Sequence, residues 1–197
     1  MSKTPFLGIA DNTFSPYLCS RNEEQASHTS TKKHKEMGKT VVVFGSSTGT
    51  CEAIAEKIGA KLGAEVVNVQ DLNDDVLSAD NLVLGTSTWG AGELQDDWYD
   101  GVETIKGSDL SGKKVAIFGC GDCESYSDTF CGAMKELYDA AKSAGANVVG
   151  AVSTDGYTFD ASDAVVDGKF VGLALDDVNE EDKTDGRIDA WVAGLGL

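Results

Sequence analysis

The stretch VVVFGSSTGTCEAIAEKIG, which begins at Val41, sets six small residues between a β-branched run and a helical pattern. They are Ser46, Ser47, Thr48, Gly49, Thr50 and Cys51. Hydroxyls around a glycine, just before a helix, can hold an anion without a cation. The first N–H groups of a helix lack partners within it, and the helix dipole adds partial positive charge there. Gly49 can take a positive φ, which lets neighbouring amides converge. No Lys or Arg stands in the loop, so it is not a Walker-type loop, and it is not G-x-G-x-x-G either. A terminal phosphate monoester, held by many neutral donors, suits the pattern. An ordinary Ser/Thr helix cap is the simpler alternative.

Two further loops carry residues of interest, TSTWGAGELQDDW from Thr86 and CGDCESYSDTF from Cys120. Trp89 and Tyr126 are large aromatics flanked by glycine and acid, where no core role is needed. Alone, each could simply cover a loop. At one sheet edge beside a phosphate cradle, they describe a slot for a flat ring. Cys120 and Cys123 form a C-x-x-C pair, which reads either as a redox disulfide or, more simply, as two free thiols in a turn. His28 and His34 lie apart, so no metal site is expected.

The elements that must position these loops alternate along the chain. Strands are expected over 40–45, 65–69, 81–85, 113–119 and 147–152. Helices are expected over 50–62, 130–144 and 187–195. Strands apolar on both faces and alternating with helices imply a parallel sheet covered on both sides. In such sheets, ligands bind beyond the carboxyl ends of the strands. The three loops above fall there.

Composition bounds the partners. The chain has 197 residues with 16 basic and 33 acidic, a net charge of −17. That length suits one α/β domain. Such acidity argues against nucleic acid or an anionic membrane and favours basic protein partners. No apolar stretch reaches the ~20 residues of a membrane span. Five cysteines, an odd number, do not suggest a disulfide framework, and a reducing cytoplasm is the expected setting. Residues 1–36 hold both prolines and both histidines and lack sustained periodicity. They are expected to form a disordered N-terminal extension, with the functional domain spanning 37–197.

The stretches SSTGT, TWGAGELQDDW, FGCGDCESYSDTF, STDGYTF and DGKFVGLALDDVNEEDKTDGRIDAWV stand in the order found in the flavodoxin family. From about Lys39 onward the chain resembles a flavodoxin of the long-chain type. The resemblance implies a doubly wound, five-stranded parallel sheet of order 2-1-3-4-5, an example of the general switch-point rule. It also implies a long-chain insertion in the fifth strand, lying between Ser153 and Lys183 and carrying a short strand, KFVGLAL.

The implied cofactor is FMN. Ser46, Ser47, Thr48, Gly49 and Thr50, with Cys51, would hold its phosphate. Thr88, Trp89, Gly90 and Gly92 would line one side of the ring. Gly121, Asp122, Tyr126 and Asp128 would line the other, and Asp155 would lie near the ring's edge. Cys51 stands where the family usually carries Thr. One hydroxyl donor is thereby lost, and weaker phosphate binding is expected. The implied function is a low-potential one-electron carrier, cycling mainly between neutral semiquinone and anionic hydroquinone, with no catalytic residues and no substrate turnover of its own. Its implied partners are redox proteins with basic docking surfaces, such as an NADP-linked flavodoxin reductase or another low-potential oxidoreductase, met by a monomer. The alternative is an FMN-dependent NAD(P)H-quinone reductase on the same fold.

Overall fold

A computed structural model describes residues 38–197. The expected N-terminal extension, residues 1–36, lies outside the described residues, as does Met37. The sheet is built on β1 (Thr40–Phe44), whose valines have no exposed surface. Alternate residues of a strand face opposite sides. Val41 and Val43 enter one core, and Val42 and Phe44 enter the other. This double burial is why the strand reads as an unbroken apolar run.

β1 is flanked by β2 (Glu65–Asn68) and β3 (Asn81–Trp89), both parallel to it. A two-residue strand, β4 (Glu93–Leu94), turns back antiparallel on the end of β3. Beyond β3 lies β5 (Lys114–Cys120), also parallel.

The fifth strand is broken. β6 (Asn147–Val149) pairs with the first half of β5, and residues 150–172 then leave the sheet. They form a small antiparallel sheet of β7 (Val152–Ser153), β8 (Val165–Val166) and β9 (Lys169–Phe170). The chain returns as β10 (Leu173–Leu175), which pairs with the second half of β5. With β6 and β10 taken as halves of one strand, the order is β2-β1-β3-β5-β6/β10, which is 2-1-3-4-5 when only the parallel strands are numbered. The expected fold therefore holds, with one change: KFVGLAL is divided between two sheets. Its Lys169 and Phe170 belong to the insertion, whereas Leu173–Leu175 complete the main sheet. Gly172 permits this re-entry, because a Cβ there would stand 2.0 Å from the Ile117 carbonyl oxygen. Phe130, Tyr157, Phe159 and Phe170 pack ring against ring and pin the insertion down, with centroids 5.1–6.4 Å apart.

Helices cover both faces. α1 (Thr50–Leu62) sets Ile54, Ala55 and Ile58 against the core shared with Ile188, Trp191 and Leu195 of α5 (Glu181–Leu195). On the other face lie α3 (Trp98–Lys106) and α4 (Met134–Ser143). A short α2 (Asp74–Leu77), capped by the Asn73 side chain, leads into β3. α3 was not expected from the sequence, although Trp98, Val102 and Ile105 are buried at helical spacing. α5 begins six residues before its expected start. Glu181 and Asp182 occupy its first turn, where the dipole favours negative charge. α4 begins at Met134 rather than at 130, because residues 130–133 form turns beneath the sheet edge.

Candidate functional site

The loop after β1 enters α1 through Gly49, at φ 90°, and no side chain caps the helix. The Gly49 N–H donates to Ser46 Oγ at 3.0 Å, which shapes the loop from within. The first intrahelical bond runs from Ala53 N–H to the Gly49 carbonyl at 2.9 Å, so the N–H groups of Thr50, Cys51 and Glu52 precede the helical ladder. A Cβ on Gly49 would meet nothing within 4 Å. The N-terminus of α1 thus has no side-chain cap, and Thr48 and Thr50 line the adjoining cleft.

That cleft has a volume of about 200 Å³. One wall is the end of β3 and its turn, Ser87–Gly90; the opposite wall carries Cys120–Asp122 and Tyr126, with Asp177 and Val178 at the rim. Trp89 is 42% exposed and Tyr126 50%, high values for large aromatics. Gly90 and Gly92 hold the Trp89 turn at φ 48° and 101°, a region that disfavours other residues. The turn closes through Gly92 N–H to the Trp89 carbonyl at 3.0 Å. Thr129 Oγ1, in the same cleft's wall, is buried without a hydrogen-bond partner.

The two aromatic-bearing loops are fixed from below. Gln95, almost wholly buried, donates from Nε2 to Ser47 Oγ at 3.2 Å and to Asp97 Oδ2 at 2.9 Å, linking the Trp89 loop to the hydroxyl loop. On the far side, Asp122 Oδ1 accepts the N–H groups of Ser125 at 2.8 Å and Glu124 at 3.1 Å. The Ser125 N–H, foremost among its donors, holds this carboxyl below the usual carboxylate range. Asp176 has no exposed surface. Burial alone would raise its carboxyl, but donors from Cys123 and Asn179 outweigh this and keep it low.

The structure gathers Thr48, Thr50, Thr88, Trp89, Gly90, Gly121, Asp122 and Tyr126 at one cleft. Gly49 lies between two of these residues at the entry to α1, and the other candidate positions are not in the cleft lining. Ser46 and Ser47 are engaged within the loop and with Gln95. Gly92 packs toward Thr129, which a Cβ would approach at 3.6 Å. Asp128 is exposed and outside the cleft lining. Asp155 belongs to a separate groove between the insertion and α5, and accepts from Ser153 Oγ at 2.8 Å. It is therefore not among the residues that line the cleft.

The Cys51 reading changes too. Its side chain has no exposed surface and its thiol meets Cys120 on the core side. Burial, then Cys120, pushes the Cys51 thiol well above its usual range. A side chain turned inward offers the cradle only its backbone N–H. Cys120 therefore neighbours Cys51, while the Cys123 backbone N–H donates to Asp176 Oδ2 at 2.8 Å. Burial and the Asp176 carboxylate raise the Cys123 thiol to about 12. Thiols so hard to ionise are poor nucleophiles, and the described cysteines are free.

A family model described as Flavodoxin matches residues 42–191. The chain belongs to the flavodoxin family. It is 44% identical over 167 residues to Flavodoxin 1 of Azotobacter vinelandii, covering 81% of this chain and 96% of that one. It is 44% identical over 158 residues to a Helicobacter pylori flavodoxin, covering 79% and 95%. Among solved structures, a Fusobacterium nucleatum flavodoxin bound to flavin mononucleotide superimposes with a TM-score of 0.76 at 31% identity, covering 80% of this chain and 96% of that one.

Within this flavodoxin fold, several cleft residues escaped the sequence reading: Ser87, Cys120, Thr129, Phe130, Cys131, Asp177 and Val178. Ser87 lies on β3, which runs four residues past its expected end. Asp177 and Val178 follow β10, and only the second half of the broken strand puts them at the sheet's carboxyl edge.

Proposed function

We propose that the chain binds FMN and serves as a low-potential one-electron carrier. The observation that carries this reading is the cleft itself. It joins an uncapped, hydroxyl-lined helix N-terminus to two exposed aromatics on opposing loops. Thr48, Thr50 and the first amides of α1 would hold the phosphate. Trp89 and Tyr126 would cover the two faces of the ring. The unpaired Thr129 hydroxyl in the wall adds a polar atom that a heterocycle could satisfy.

When bound, FMN supplies one-electron redox chemistry, and the protein sets its potentials. Trp89 and Tyr126 would exclude water from the ring. Asp122, Glu124 and Asp177 add negative charge around the cleft without a cation in its lining. At a separation of ~10 Å and an effective dielectric of 20–80, each unit charge raises the energy of a further negative charge by roughly 0.4–2 kcal/mol. Adding electron density to the cofactor is thus made costly, and the fully reduced carrier becomes a strong donor. It would work mainly between the two more reduced of the flavin's three states. The same acidic rim would steer redox proteins with basic docking surfaces, an NADP-linked flavodoxin reductase among them, to the exposed edge in brief encounters.

The test is to purify the full chain, record its visible spectrum, and identify any released ligand by mass. Flavin bands and released FMN, with tight rebinding of added FMN, are expected. A colourless protein that fails to quench added FMN refutes the reading. Steady NAD(P)H–quinone turnover by the pure protein would favour the reductase instead.

A further inference from the structure

Asp176 follows β10 directly and is fully buried. A carboxylate offers four acceptor directions, and here each oxygen takes two donors. Oδ1 accepts the N–H groups of Val178 at 3.0 Å and Asn179 at 2.9 Å. Oδ2 accepts the Cys123 N–H at 2.8 Å and Asn179 Nδ2 at 2.9 Å. Asn179 Nδ2 also donates to Asp122 Oδ1 at 2.9 Å. The Gly121 N–H closes the seam on the Leu175 carbonyl at 2.9 Å.

Two loops of distant sequence are thus stitched together through one buried charge. Residues 176–179 carry the rim residues Asp177 and Val178, and residues 121–126 carry Tyr126. Tyr126 depends on its backbone for its place: its N–H donates to the Asp122 carbonyl at 3.0 Å, and its carbonyl accepts the Thr129 N–H at 3.2 Å.

We propose that Asp176 is a positioning residue of the cofactor site, holding the 121–126 loop so that Tyr126 stands against the ring. The proposal rests on the FMN reading above. It assigns Asp176 no contact with the cofactor; its effect passes through Tyr126. Replacing it with Asn puts an NH2 group where two donors already point, and each buried donor left without an acceptor is costly. The loop then has weaker reason to keep Tyr126 in place.

The test is a double-mutant cycle on the full-length protein, with FMN and riboflavin titrated into the apoprotein and bound-flavin fluorescence read at saturation. Asp176→Asn is expected to weaken FMN by about tenfold, the effect of one charged hydrogen bond lost. Riboflavin should weaken by the same factor, and residual fluorescence should rise as stacking loosens. In a Tyr126→Ala background, the same substitution should change either affinity by less than about twofold. Equal losses in both backgrounds overturn the proposal, as does an unchanged affinity in the wild-type background. If Asp176→Asn does not fold, Asn179→Ala carries the same cycle, since Asn179 is exposed and its loss removes the link to Asp122. Failure of the wild-type protein to bind FMN would defeat the functional reading itself; binding with background-independent losses would defeat only the role given to Asp176.

Discussion

Replacing Tyr126 with alanine removes an aromatic ring that is half exposed and sits on a loop lining the cleft. A residue so exposed contributes little to the apoprotein's stability, so the change there should stay within about 0.5 kcal/mol. Its contribution appears on binding. Stacking of a flat heterocycle on one aromatic face is worth roughly 1–3 kcal/mol, which corresponds to a rise in Kd of about 5- to 150-fold. Riboflavin shares the ring but lacks the phosphate, so FMN and riboflavin should weaken by the same factor. Fluorescence titration of the apoprotein with each ligand measures both, and urea unfolding of the apoprotein supplies the stability control. An unchanged Kd for both ligands would show that Tyr126 does not cover the ring. A loss confined to FMN would place Tyr126 at the phosphate instead, and either result refutes the reasoning.

Cys51→Ala should lower stability by about 1–2 kcal/mol through a small buried void, and should leave the ratio of FMN to riboflavin affinity unchanged, because the thiol faces Cys120; a selective loss of FMN would show that the side chain reaches the cradle. Gly172→Ala should cost about 2–3 kcal/mol in urea unfolding, since its Cβ would collide with the Ile117 carbonyl and push β10 off β5. The Asp176 carboxyl is held below its ordinary value, so its contribution is complete above the unfolded value of about 4 and is lost as pH falls through the lower folded value. Apoprotein stability should therefore drop below about pH 4, with a shallower slope in Asp176→Asn; identical slopes would assign the acid limb to other carboxylates.

Residues with a single dominant demand were legible. Val41 to Val43 are buried on both faces and read as a central strand without ambiguity. The helix start after the hydroxyl loop was legible, because the small residues 46–50 end the apolar run and Ile54 and Ile58 follow at helical spacing. The broken strand was not, because three residues, Leu173–Leu175, make half a strand that local pattern cannot separate from Lys169 and Phe170. Only pairing with β5 tells them apart. α3 was hidden for a related reason. QDDW reads as loop, and the burial of Trp98 beneath β3, with Nε1 donating to the Gly85 carbonyl at 2.8 Å, is a tertiary fact. Cys51 shows the limit of position by analogy: a residue can occupy a cradle's sequence slot while its side chain points into the core.

The most direct test of the carrier reading is an anaerobic potentiometric titration of the FMN-loaded, full-length protein, followed by visible absorption. The expected result is two separate one-electron steps, the second at much lower potential than the first, with a long-wavelength band that rises through the first step and falls through the second. A single two-electron step with no such band would contradict a one-electron carrier built on this cleft.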